Sequence, residues 1–284
     1  MNDLKLQIKE NYNNLTRRLK VVANFIVEDP KSIALLPAKE IGNLTNTSET
    51  TVIRCCHALG YAGYAALQEE IRRYLLRPED DPLKALAEGI KEDAQDLEAS
   101  MAQDIQFIKK TFDNIDAQQF HVAIEQIIQA EKIIVVGLRA SYGPASWLAY
   151  SLNVVKGDTV LFKGEIDDAN YFMTLIQEGW LIISFSFKRY SQQSIAFVKA
   201  AKEKGARILS ITDDELSPIG LMSDLVFKVI TPNPSTLKGM PVIFSILNAF
   251  ISGVMINNSA AVENQLEKYQ QSSDYYYSFY RQEE

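Results

Sequence analysis

Histidine and cysteine are both scarce, two of each in 284 residues, and the shortage removes whole classes of protein from consideration. Cys55 and Cys56 are neighbours, which is poor geometry for a structural disulfide, and no third cysteine or paired histidine completes a tetrahedral metal site. A reducing compartment fits this usage, and neither a metal nor a cofactor is expected. Long apolar runs are missing too, since none approaches the roughly 20 residues of a membrane span. The opening stretch MNDLKLQIKENYNN lacks the apolar core of a signal peptide. These absences predict a cytoplasmic protein that does not enter a membrane.

What is present is an ordinary globular composition, 47% hydrophobic and 23% charged, at a length that suits one large domain or two modest ones. The charge distribution favours two. Residues 1–77 carry a net +3 and the remainder −10, within a total of −7. An acidic surface repels a polyphosphate, so any nucleic-acid contact belongs to the first part, where Lys and Arg can neutralise phosphates.

Leu15, Leu19, Val22, Phe25 and Ile26 recur at helical spacing and predict one amphipathic helix over Leu15–Val27, ending before Pro30. A short helix after Pro37 turns Ile41 and Leu44 inward. Thr45-Asn46-Thr47 then makes a turn, and Ser48 opens a third helix as its N-cap, with Glu49 well placed against the helix dipole. Val52, Cys56 and Leu59 form the buried stripe of that helix, and Gly60 ends it in the left-handed conformation that glycine adopts most cheaply. A further helix runs through Leu67, Ile71 and Leu75. The prolines and acids of Arg77–Pro82 mark a hinge. Residues 83–113 read as connecting helices with Leu86, Ile90, Leu97, Ile105 and Ile108 on one side.

Beyond residue 113, short β-branched runs alternate with helical stretches, as a parallel sheet with crossover helices requires. Strands are predicted at Ile133–Val136, Thr159–Phe162, Trp180–Ser184, Arg207–Ile211 and Leu225–Val229. Helices are predicted near Ala145–Val155, Ala169–Ile176, Ser194–Lys204 and Ile219–Met222, with a long last one from Met240 to Met255, which is either core or partly a subunit contact. Five strands make a doubly wound α/β domain with a parallel, flavodoxin-like sheet. An aromatic stretch, Asp274 to Tyr280, follows it and could cover an interface or fray.

Between Glu40 and Tyr61, two helices joined by a tight polar turn, with small Gly42 where they must approach, have the build of a helix-turn-helix. The second helix of such a unit enters the major groove. Its residues opposite the buried stripe, Thr50, Arg54 and His57, with Ser48 and Thr51 near its start, are therefore expected to face DNA. Arg54 can donate two hydrogen bonds to a guanine edge, and the short hydroxyls can reach phosphates or bases. The alternative is a helical bundle whose polar face is merely solvated. The string from Thr47 to Tyr64, TSETTVIRCCHALGYAGY, resembles the Ser-x-x-Thr-Val-x-Arg and Leu-Gly-Phe/Tyr-x-Gly-Phe/Tyr signature of the RpiR/MurR regulators. That resemblance implies a multidomain chain: an all-α DNA-binding domain over 1–77, linker helices over 78–113 and an α/β sugar isomerase (SIS) domain over 114–284.

In an open parallel sheet, ligands bind past the carboxyl ends of the strands, where loops lead into helix N-termini. The loop Gly137-Leu138-Arg139-Ala140-Ser141 resembles the Gly-x-Gly-x-Ser loop of SIS domains, with Arg139 in place of the second glycine. Ser184-Phe185-Ser186-Phe187-Lys188-Arg189-Tyr190-Ser191 resembles their Ser-x-Ser-Gly-x-Thr phosphate loop, with Phe187 for the glycine and Arg189 for the threonine. A third stretch, Thr212 to Pro218, resembles one that mainly supports the fold. The lost glycines should crowd the pocket, while Arg139, Lys188 and Arg189 bring three cations toward it. Gly137, Arg139, Ser141, Ser184, Ser186, Lys188, Arg189 and Ser191 are the effector-binding candidates, for a phosphosugar-like anion or else a carboxylate. Salt bridges to Asp213, Asp214 or a dimer mate are the competing use of the cations.

An isomerase or lyase acting on sugar phosphates is the rival function, and it needs a positioned acid and base. His121, Glu165, Glu215 and Glu263 are the side chains left for that work, in no telling arrangement. The expected partners are double-stranded operator DNA, a small anionic metabolite, and further copies of the chain in a homodimer or homotetramer, because a helix-turn-helix gains affinity by pairing.

Overall fold

The computed structural model of the protein describes residues 15–75, 97–231 and 238–276. The hinge expected at Arg77–Pro82, the connecting-helix positions Leu86 and Ile90, and the aromatic stretch from Tyr277 onward lie outside the described residues. The chain divides into two compact units, Met1–Glu79 and Asp80–Glu284.

The first unit is all helical: α1 (Arg17–Glu28), α2 (Pro30–Leu35), α3 (Ala38–Leu44), α4 (Glu49–Ala58) and α5 (Tyr64–Leu75). Val22, Ile26, Ile33, Ile41, Val52, Cys55, Cys56, Leu59, Leu67 and Ile71 make its core. Helix α2 departs from the pattern expected around Pro30. Proline occupies the first helical turn, where no N–H is needed. Asp29 caps the helix, accepting from the Ser32 N–H at 3.0 Å and the Ser32 hydroxyl at 2.6 Å. At its other end, the Ile33 and Leu36 carbonyls accept from the Tyr64 hydroxyl at 2.9 and 2.8 Å and from the Gln68 amide at 3.0 and 2.9 Å. Arg72 Nε donates to the Ala34 carbonyl at 2.8 Å. Helix α5 thus satisfies the orphan acceptors that a short helix leaves at its end.

The turn between α3 and α4 is set by its own hydrogen bonds. Thr47 N–H donates to the Gly42 carbonyl at 2.8 Å and the Thr45 hydroxyl to the Ile41 carbonyl at 2.7 Å, with Asn46 left-handed at φ 50. A Cβ on Gly42 would stand 3.0 Å from Glu49 N and 3.1 Å from Thr47 O, so glycine is what lets the two helices close on each other.

The second unit begins, among the described residues, with α6 (Leu97–Phe112) and α7 (Ala117–Gln129). The later turns of α6, read from sequence as part of a linker, pack Phe107 and Ile108 on this unit's core. The Thr111 hydroxyl donates to the Ile230 carbonyl at 3.3 Å and accepts the Ile230 N–H at 3.0 Å. Then follow β1 (Lys132–Val136), α8 (Tyr142–Val155), β2 (Thr159–Phe162), α9 (Ala169–Leu175), β3 (Trp180–Ser186), α10 (Gln192–Glu203), β4 (Arg207–Thr212), β5 (Leu225–Lys228), α11 (Met240–Asn257) and α12 (Ser259–Tyr276). All strand pairs are parallel, in the order β2-β1-β3-β4-β5.

Strand alternation splits the core in two. Ile133, Val135, Leu181, Ile183, Leu209 and Ile211 join residues of α7, α8 and α11 on one face, while Ile134, Val136, Ile182 and Ile208 join Phe197 and Val198 of α10 on the other. Helix α11 is the one described helix long and apolar enough to cross a membrane, with mean hydropathy 1.7. Its Ile243, Leu247, Phe250 and Val254 are fully buried in the core, and Gly253 lets it press on Ile124 of α7.

Candidate functional site

On α4, Ser48 caps the helix by accepting the Thr51 N–H at 3.2 Å, and its hydroxyl lies 2.9 Å from that of Thr51. Within that pair one hydroxyl donates to the other, which leaves a single O–H for an outside acceptor. Thr50, Arg54 and His57 are exposed, a helical face opposite the fully buried Val52, Cys55 and Cys56. Of the five residues picked from sequence, Thr50, Arg54 and His57 share one face of the helix, while Ser48 and half-buried Thr51 sit at its start, and His57 is partly engaged. Its Nδ1 donates to the Tyr61 carbonyl at 3.2 Å, and because a carbonyl only accepts, Nε2 of the neutral ring is left as an acceptor. Behind this face, burial pushes the Cys55 thiol up to about 12 and Cys56 to about 11, so both remain inert thiols at neutral pH.

In the second unit, β1 leads outward to β2 and β3 leads the other way to β4, so a crevice opens between their carboxyl ends. Val136 pairs with Ser184, which sends the loops after the two strands off the same edge. Gly137 permits the first loop: a Cβ there would lie 2.5 Å from the Ser141 carbonyl oxygen and 2.7 Å from Ala145 Cβ. The chain then makes a short 3-10 turn over Arg139–Ser141 with Ser141 buried. After β2, Gly164 lies beneath both loops, where a Cβ would stand 3.1 Å from Leu138 Cδ2 and 3.3 Å from Gln193 Oε1. The start of α10 and the β1 loop thus meet across the crevice.

Ser184 on β3 and Ser194 in the first turn of α10 are buried with hydroxyl oxygens that have no hydrogen-bond partner among the described residues, and Ser186, two residues beyond Ser184 on β3, is buried as well. Ser191 caps α10, accepting the Ser194 N–H at 3.3 Å. The crowding expected from Phe187 does not occur, because its ring joins Phe185 in the core cluster on the opposite face of the sheet. Asp213 anchors the rest of the loop. It accepts the Lys188 N–H at 3.0 Å and the Tyr190 hydroxyl at 3.2 Å, and burial raises the pKa of both Asp213 and Tyr190.

Arg139 and Arg189 are exposed, and neither guanidinium has a hydrogen-bond or ion-pair partner among the described residues. Within the described chain, neither makes the salt bridge to Asp213 or Asp214 that was weighed against a binding role. Both residues hold left-handed backbone, φ 56 and φ 70, which costs a side-chain-bearing residue about 1–2 kcal/mol. The third loop is occupied with itself: the Thr212 hydroxyl lies 3.0 Å from Ser217 Oγ, and Ser217 Oγ accepts the Gly220 N–H at 3.0 Å. The acid–base candidates are dispersed, His121 on α7, Glu165 after β2, Glu215 after β4 and Glu263 on α12.

Sequence reasoning did not single out Gln193, Ser194 or Tyr190. Only Ser194 carried a signal, as the third residue after a Ser N-cap, where a side chain faces the start of the helix.

Comparison with known proteins places both regions. Residues 2–78 match the model of the helix-turn-helix domain, rpiR family, and residues 126–253 that of the SIS domain. An uncharacterized HTH-type transcriptional regulator of Caldanaerobacter subterraneus is 25% identical over 239 residues, 79% of each chain. The HTH-type transcriptional regulator HexR of Pseudomonas aeruginosa is 22% identical over 282 residues, 96% of each. Among solved structures, the Vibrio vulnificus NanR protein complexed with ManNAc-6P superposes with a TM-score of 0.57 at 18% identity, covering 97% of this chain and 100% of that one.

Proposed function

The chain belongs to the RpiR-type regulators, DNA-binding proteins with a helix-turn-helix and a SIS domain, and from that premise we propose that α4 reads operator DNA while the β1/β3 crevice holds a small anionic effector. The observation that carries the DNA half is the exposed Thr50, Arg54 and His57 on one face of a helix whose other face is fully buried. Arg54 supplies the bidentate donor for a guanine, Ser48 and Thr51 one hydroxyl proton for a phosphate, and the helix N-terminus a partial positive charge. The buried hydroxyls of Ser184 on β3 and of Ser194 in the first turn of α10, both without a hydrogen-bond partner among the described residues, support an anion in the crevice. A phosphosugar or a related carbohydrate derivative fits, as does the ManNAc-6P bound by NanR.

Relatives aligned over most of the chain are HTH-type regulators, and the chain is a regulator rather than an isomerase or lyase. Pairing across a two-fold axis, in a dimer or tetramer, belongs to the proposal because half-sites on DNA need two recognition helices. The exposed apolar Leu97, Met101, Ile105 and Phe112 of α6 offer a surface for it.

Fluorescence anisotropy with a duplex from upstream of the protein's own gene tests the reading. Arg54→Ala should weaken specific binding by roughly 1–3 kcal/mol and leave effector affinity unchanged. Wild-type operator affinity in that variant would remove α4 from the groove.

A further inference from the structure

The two arginines at the lips of the crevice carry an inference that rests on the effector reading above and narrows it. Arg139 stands three residues past the end of β1 and Arg189 three past the end of β3, on neighbouring strands of the sheet. Both are exposed, both lack any partner among the described residues, and both hold a left-handed backbone in which glycine would be unstrained. A strained position kept for a charged side chain, with that charge uncommitted, points to a ligand contact.

The two acids that follow β4 are already used by the backbone and by Tyr190. Asp213 takes the Lys188 N–H and the Tyr190 hydroxyl, and Asp214 takes the Leu216 N–H at 3.0 Å. Deeper in the crevice, Ser184, Ser186 and Ser194 are buried, and α10 begins there. Hydroxyls and a helix N-terminus are sufficient for one phosphate without any cation. The arginines at the mouth are in excess of that need.

We infer that the effector carries two anionic groups, a phosphate seated against the serine hydroxyls and the start of α10 and a carboxylate gripped at the mouth by Arg139 and Arg189. The chemical class is a phosphorylated sugar acid. Arginine suits the outer group because its planar fork meets a carboxylate with two parallel hydrogen bonds.

The test is isothermal titration of the full-length protein with two matched pairs of probes differing by a carboxylate, glycerol 3-phosphate against 3-phosphoglycerate and glucose 6-phosphate against 6-phosphogluconate. In each pair the acid should bind at least about tenfold more tightly. In the R139G/R189G double variant the acid should lose its advantage, so that the two members of each pair bind alike. Since glycine relieves the backbone at both positions, the variant's melting temperature should hold or rise, and a fall would assign the guanidinium groups to the fold and overturn the inference. Ser186→Ala should weaken all phosphate probes together. Equal affinities within both pairs in the wild type would overturn the second anion and leave the phosphate seat standing, whereas no binding by any phosphate probe would overturn both.

Discussion

Gly42 and Gly137 look alike in sequence and differ in what a methyl group would meet. At Gly137 a Cβ would run into the Ser141 carbonyl at 2.5 Å, and the first loop of the crevice must open to admit it. At Gly42 the closest atoms stand at 3.0–3.1 Å and all belong to the backbone that begins α4. Alanine inside α3 gains about 1 kcal/mol of helix propensity, of the same order as the cost of the contact. Gly42→Ala should therefore change stability by no more than about 1 kcal/mol, yet it must push α4 away from α3 by tenths of an ångström. Operator affinity, which depends on that angle, should fall by about tenfold or more. Thermal unfolding beside anisotropy separates the two effects, and a destabilised variant with undiminished operator affinity would show that the turn does not position the recognition helix. The glycines were visible in the sequence, and Gly42 even had its reason. The left-handed Arg139 and Arg189 were not, because a positive φ at arginine leaves no mark in composition or periodicity.

Elements with a strong period were legible and those made by long-range contacts were not. The strands were predicted to within two residues because continuous β-branched runs such as Ile133 to Val136 suit a sheet covered on both faces. Helix α2 leaves no such mark, because Pro30 reads locally as a stop, whereas it opens a helix whose far end is satisfied by Tyr64, Gln68 and Arg72, which lie 28 to 38 residues on in the sequence. Its near end is local and testable. The Ser32 hydroxyl and N–H hold the Asp29 carboxyl below its usual pKa of 3.8. A depressed carboxylate contributes stability that is present above the unfolded pKa and lost as pH falls through the folded one. Asp29→Ala should cost roughly 1 kcal/mol near neutral pH, and the gap between wild type and variant should close as pH drops below about 4. Urea titrations at a series of pH values measure that gap. A gap that stays constant to pH 3 would mean the charge on the cap is irrelevant.

At the scale of the whole molecule, a net +3 over residues 1–77 and −10 over the rest divide the work between two compact units, and regulation requires that the two be energetically coupled. An effector that binds the DNA-competent and DNA-incompetent states equally shifts nothing, however tight it is. Coupling is reciprocal: if the effector changes operator affinity by some factor, operator DNA must change effector affinity by the same factor, typically 5- to 150-fold. The expectation is that titrating the best-binding phosphate probe into the protein with and without saturating operator duplex yields two affinities. Their ratio should equal the ratio of operator affinities measured with and without the probe. A ratio of one, with tight binding at both sites, would leave the crevice a binding site without a regulatory role. It would also require the signal to enter through another surface, for which the apolar face of α6, bearing Met101 and Ile105 exposed, is the place to look.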